Sequence, residues 1–212
     1  TFSGGSGFKR IENDSSSTQT VGFSGDLIGL QSVVANAGTL VINSTVSTPG
    51  AGLTVGGGST VVFNRSLLGM NFISVAENTT AQFNAAVSTS ISFGHATVVI
   101  SSATELPGAE ISEYGVLKLA SDVTLSGHLD LVNDGFVIQS PAPIIDTNGF
   151  EMTVTQGIKD GGPAVVPEPA KLIKRGAGIL TVDGDNRLDG WSGGTTILGG
   201  TLKAATANSF KS

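Results

Sequence analysis

Short runs in which apolar and polar positions alternate recur along the whole chain, most of them opening next to a glycine. They are GTLVIN from Gly38, STVVFN from Ser59, TTAQFN from Thr79, ATVVIS from Ala96, GVLKLA from Gly115, GFVIQS from Gly135, GFEMTV from Gly149, GILTVD from Gly178 and GTLKAA from Gly200. Their starts are 21, 20, 17, 19, 20, 14, 29 and 22 residues apart. A period near 20 residues suits one coil of a parallel β-solenoid, whereas helical repeats need about 33 residues or more. The period of two inside each run sends Leu40 and Ile42, Val61 and Phe63, Ala81 and Phe83, Val98 and Ile100, Leu117 and Leu119 to one face. Val41, Val62, Gln82, Val99 and Lys118 take the other. Stacked coil on coil, the first set forms inner ladders.

Asn43, Asn64 and Asn84 each follow a run at the same offset. They either stack as an amide ladder at a corner or simply tolerate turn conformations. Helix signals are almost missing: no segment keeps the i, i+3, i+4, i+7 pattern for more than two turns. The interruption comes at residues 141–171, which hold five of the seven prolines. Proline cannot donate to a central ladder, so Pro163 to Ala170 is read as a loop leaving the solenoid body.

Composition narrows the function classes. The chain of 212 residues is long enough for a real core, and only 13% of it is charged. Its Val, Leu and Ile content is too regular for disorder. A net charge of -6, with no basic cluster, argues against nucleic acid or an anionic membrane surface as partner. Cysteine is absent, and no run of about 18 apolar residues offers a membrane-spanning helix. The chain opens at Thr1 without a basic and apolar leader, as expected of a processed chain or an excised piece.

The densest pattern lies in residues 171–205, where glycines punctuate every turn. Leu172, Lys174, Gly176, Gly178, Leu180, Val182, Gly184, Asn186 and Gly190, then Gly194 and Thr195, then Gly199, Gly200, Thr201 and Leu202 fall at fixed spacings. The stretch resembles the passenger-associated transport repeat of bacterial autotransporters. The resemblance is clear for residues 145–205. It is loose for 7–43, where FKRIE, TQTV and AGTL echo LIKRG, ILTV and GGTL. PAVVPEPA departs from the family at the link before Leu172.

The resemblance implies a single right-handed parallel β-helix over residues 1–212, with coils over 1–140, a coil with a Pro-rich excursion over 141–170 and a repeat coil pair over 171–205. About nine coils at ~4.8 Å each make a rod of roughly 40–45 Å. It also implies a signal peptide before the chain and an outer-membrane β-barrel after it in the full protein. The expected function is a non-catalytic surface stalk or adhesin at the bacterial cell surface or secreted from it. Its expected partners are a host-cell protein or glycan receptor, or copies on neighbouring cells. Stability is expected to concentrate at residues 171–205, with Leu180, Val182, Ile197 and Leu202 in the core.

The alternative is a polysaccharide-acting β-helix enzyme, which needs carboxylates converging on one outer face. Asp122, Asp130 and Asp134 form the nearest such cluster in sequence, and solvated corner positions are the plainer account of them. Asp183, Asp185 and Asp189 imitate a calcium loop without its closing glutamate. His95 and His128 lack the spacing of a zinc site. GGSG at Gly4–Gly7 lacks the Asp and second Ser of the family's serine-protease members. Trp191 is expected to pack over the solenoid edge. The sequons starting at Asn13, Asn43, Asn64 and Asn78 carry no glycan in a bacterial protein. No cofactor is expected.

Overall fold

The computed structural model describes residues 2–4, 9–101, 106–132, 142–161, 170–185 and 192–210. It is an all-β solenoid of about eight turns, with no helix among the described residues. Each turn crosses three faces. The first face stacks Lys9–Asn13, Leu30–Ala35, Gly52–Gly56, Phe72–Val75, Ile91–Phe93, Ala109–Ile111, Leu129–Val132 and Ile158–Gly161, all parallel. Its outer strand, Phe2–Gly4, pairs antiparallel with Lys9–Asn13.

The second face stacks nine parallel strands, from Gln19–Val21 and Thr39–Ile42 through Val116–Leu119 to Leu172–Arg175 and Thr195–Ile197. The third face holds Leu27–Ile28, Val46–Ser47 and Leu67–Leu68 in one sheet. A second sheet there holds Val123–Leu125, Glu151–Val154, Ile179–Val182 and Thr201–Ala204.

The inner ladders form as the alternation predicts. Leu40, Val61, Ala81, Val98 and Leu117 lie in direct register, and so do Ile42, Phe63, Phe83, Ile100 and Leu119. All are buried. The Phe63 and Phe83 rings stack at 5.4 Å and 5° between planes. Ala81 lies two residues before Phe83, so the smallest member of one ladder accompanies one of the largest of the other. The asparagines do stack: Asn84 Nδ2 donates to Asn64 Oδ1 at 2.7 Å, and Asn64 Nδ2 to Asn43 Oδ1 at 2.8 Å.

The run series needs one correction. From Gly38 to Gly115 the runs stack on the second face, but those at Gly149, Gly178 and Gly200 stack on the third. GFVIQS lies outside the described residues. On the second face Leu117 is followed by Ile145, not by a run member. The register there advances by 28 residues to Ile144 and by 29 more to Ile173, where sequence spacing had suggested 20 and 14.

The cause is a migrating corner. Left-handed residues sit between the first and second faces at Gly38, Gly58, Asn78, His95 and Tyr114. In the later turns they sit between the second and third faces, at Asn148, Gly176 and Gly200. The run pattern marks whichever strand follows a tight corner, and the alternation alone does not say which face that is. The connections from the first to the second face lengthen where the corner has left them. Pro163 to Pro169 lies there, outside the described residues, and Ala170, the first described residue after it, is buried.

Candidate functional site at the C-terminal turns

Leu172 and Lys174 alternate with Ile173 and Arg175, so both point into the solenoid. Lys174 is fully buried. Its ammonium reaches the corner that follows the strand. There Lys174 Nζ donates to Thr147 Oγ1 at 2.9 Å, Gly176 O at 2.9 Å, Gly199 O at 3.0 Å and Arg175 O at 3.1 Å. Four acceptors for three N–H bonds leave no proton unpaired. These acceptors come from three successive turns, so one cation ties the stacked corners together.

Burial pushes the Lys174 ammonium below the usual lysine value, and the nearby Asp146 carboxylate pulls it partly back. Asp146 is itself fixed. Its Oδ2 accepts from Arg175 Nε at 3.0 Å and its Oδ1 from the Asn148 amide at 3.1 Å.

The glycines around this cation are dictated by sterics. Gly176 has φ +81, and a β-carbon there would press on the Asn148 amide and lie 2.7 Å from Asp146 Oδ1. Gly200 has φ +69, and a β-carbon there would lie 2.7 Å from Lys174 Nζ. Gly178 and Gly184 face the backbone of Phe150 and Gly157 too closely for any side chain. Leu180 and Val182 are buried between Met152 and Val154 on one side and the last turn on the other. Asn186, Gly190, Asp189 and Trp191 lie outside the described residues, while Gly194 (φ +83) precedes Thr195–Ile197.

Two members of the expected core are corrected. Ile197 is 50% exposed and Leu202 only partly covered, because they sit on the last described turn with a strand on one side only.

Sequence reading missed a related device at the other end. Asn13, also buried, donates to Ser17 O, Ala37 O and Thr39 O and accepts the Ser15 amide. It too is an inward polar residue at a strand end beside a tight corner, here between the first and second faces. Asp160 was missed as well. It accepts the Ala170 amide at 3.1 Å and the Ser192 hydroxyl at 2.6 Å, tying together segments that flank the long connections.

The other candidates do not converge as their spacing suggested. Asp122 accepts the Glu151 amide at 2.9 Å beside the third face, whereas Asp130 lies on the first, and Asp134 is outside the described residues. The carboxylate beside Asp130 is Glu110, in direct register on the neighbouring strand, and Lys159 Nζ lies 3.4 Å from Asp130 Oδ1. His95 is a corner residue whose ring packs on Tyr114 at 4.5 Å, and His128 is exposed. No group of three or more His, Asp or Glu side chains that could hold a metal occurs among the described residues.

No curated protein and no solved structure matches the chain. A family comparison gives residues 172–204 as a passenger-associated-transport-repeat. Those bounds run from the strand that carries Lys174 to the last strand of the third face, two successive strand–corner–strand units with the ammonium between them. The chain thus carries the transport repeat of an autotransporter passenger, built onto a parallel β-solenoid.

Proposed function

We propose that the chain is a segment of an autotransporter passenger that acts as a rigid, non-catalytic stalk and adhesive surface. It stands on the bacterial cell surface or is released from it, and an outer-membrane β-barrel belongs to the same full-length protein. The observation that carries this reading is the repeat at 172–204, whose core residues continue the apolar interior of the preceding turns without a break. A turn that folds outside the cell buries apolar area and offers a template edge to the next, so each turn opposes backsliding through the pore. The stalk would hold its outer faces toward a receptor or a neighbouring cell.

Surface display tests this. In the full-length protein Gly176→Val should strain the corner and crowd Asn148, and protease-accessible passenger on intact cells should fall severalfold while the barrel still inserts. Unchanged display with a demonstrably disrupted corner would remove the transport role. A polysaccharide-cleaving enzyme has one observation in its favour, the Glu110–Asp130 pair. It requires glycan turnover that disappears in Glu110→Gln.

A further inference from the structure

The first face carries a cleft of about 510 Å³ on its outer side, which neither the repeat nor the stalk requires. Its lining runs along the solenoid axis through Phe72, Ser92, Glu110, His128, Asp130 and Gln156. Ser92, Glu110, Asp130 and Lys159 occupy one register position on successive strands, so their side chains stand in a row at the interstrand step of about 4.8 Å. At one end the Phe72 ring lies over Gly52, where any β-carbon would overlap it, and the ring remains 51% exposed. Gly108 keeps the floor open: a β-carbon there would come 2.7 Å from Ser90 Oγ.

We propose that this cleft binds a neutral oligosaccharide chain. A half-exposed aromatic ring on a rigid sheet offers a platform for the C–H face of a sugar. Beside it stands a row of hydroxyl, carboxylate, imidazole and amide groups, which together donate to and accept from ring hydroxyls. The carboxylates are held in place rather than free. Ser92 Oγ donates to Glu110 Oε1 at 2.8 Å, and Lys159 faces Asp130. Each carboxylate keeps further lone pairs for a ligand, since an ionised carboxyl accepts at about four sites. Acidic chains are repelled by the Glu110 carboxylate, whose partner Ser92 is neutral, while Lys159 offsets the charge of Asp130. A polymer of sugars, itself a repeating chain, matches a site built from repeating strands.

This inference deepens the adhesive part of the proposed function and does not depend on the transport role. Calorimetric titration of the purified chain with short neutral glucan, galactan and mannan oligomers tests it, with oligogalacturonate and oligolysine as comparisons. At least one neutral series should bind. Phe72→Ala and Glu110→Gln should each weaken binding by about tenfold or more, while Ile28→Ser on the third face leaves it unchanged. Both cleft variants alter surface positions, and unchanged thermal unfolding confirms their fold. Absence of binding by every neutral oligomer, binding only by the acidic or cationic comparison, or binding that survives both variants overturns the proposal. A negative result with normal surface display leaves the stalk reading standing, so the two failures are separable.

Discussion

Burying the Lys174 ammonium costs free energy that its oxygen partners must offset. Replacing it with Met keeps the stem but strands the oxygens of Gly176, Gly199 and Thr147 inside the corner, so Lys174→Met should destabilise the fold by about 2–3 kcal/mol near neutral pH. The pH dependence carries a sign. The folded-state pKa is lowered, so between that value and the usual 10.5 the unfolded chain binds more protons. The contribution of Lys174 to stability therefore rises with pH across that window. In thermal unfolding the gap between wild type and Lys174→Met should widen from neutral pH toward 10.5. A gap that narrows would refute the desolvation account. At this scale the sequence marked Lys174, Gly176 and Gly200 through a familiar pattern. It gave no sign that Asn13 works alike, because a lone Asn–Asp pair reads as an ordinary turn. Nor did it reveal Glu110 beside Asp130, since their contact depends on register between strands 20 residues apart.

The strand following a tight corner is the unit that periodicity detects. Alternation correctly separated inward Leu117 from outward Lys118, because side chains on a strand alternate whatever the face. Three-faced winding was not legible, since a corner that moves to another edge leaves the local pattern intact and changes only the spacing. Burial separates two leucines at the same register position of neighbouring strands. Leu180 is enclosed, whereas Leu202 caps the stack from one side. Leu180→Asp should cost several kcal/mol, on the order of 3–5, by burying an unpaired charge. Leu202→Asp in this chain should cost less than about half of that. Urea denaturation compares them, and equal losses would mean that the last turn is as closed as the one before it.

A solenoid behaves as a row of units, each stabilised by its neighbours, so protection should follow position along the axis. Amide hydrogen exchange should be slow in Thr60–Phe63, Leu172–Arg175 and Ile179–Val182, which have strands on both sides, and faster in Thr195–Ile197 and Thr201–Ala204. Equal protection of the last two strands would contradict this gradient. The sequence-based expectation placed stability at residues 171–205 as a block. Within this chain the two parts of that block differ in their surroundings, since Thr195–Ile197 and Thr201–Ala204 have a described strand on one side only.

The antiparallel strand Phe2–Gly4 gives the first-face sheet two unlike edges. Parallel stacking in register requires a neighbour running the same way, and on the first face the edge nearest the chain start is already occupied by a strand running the opposite way. A parallel strand from elsewhere cannot continue the ladder there in the same direction. On that face the edge beside Lys9–Asn13 is thus closed to any parallel strand in register, and one open sheet edge, a standing hazard for edge-to-edge pairing, is covered from within the chain.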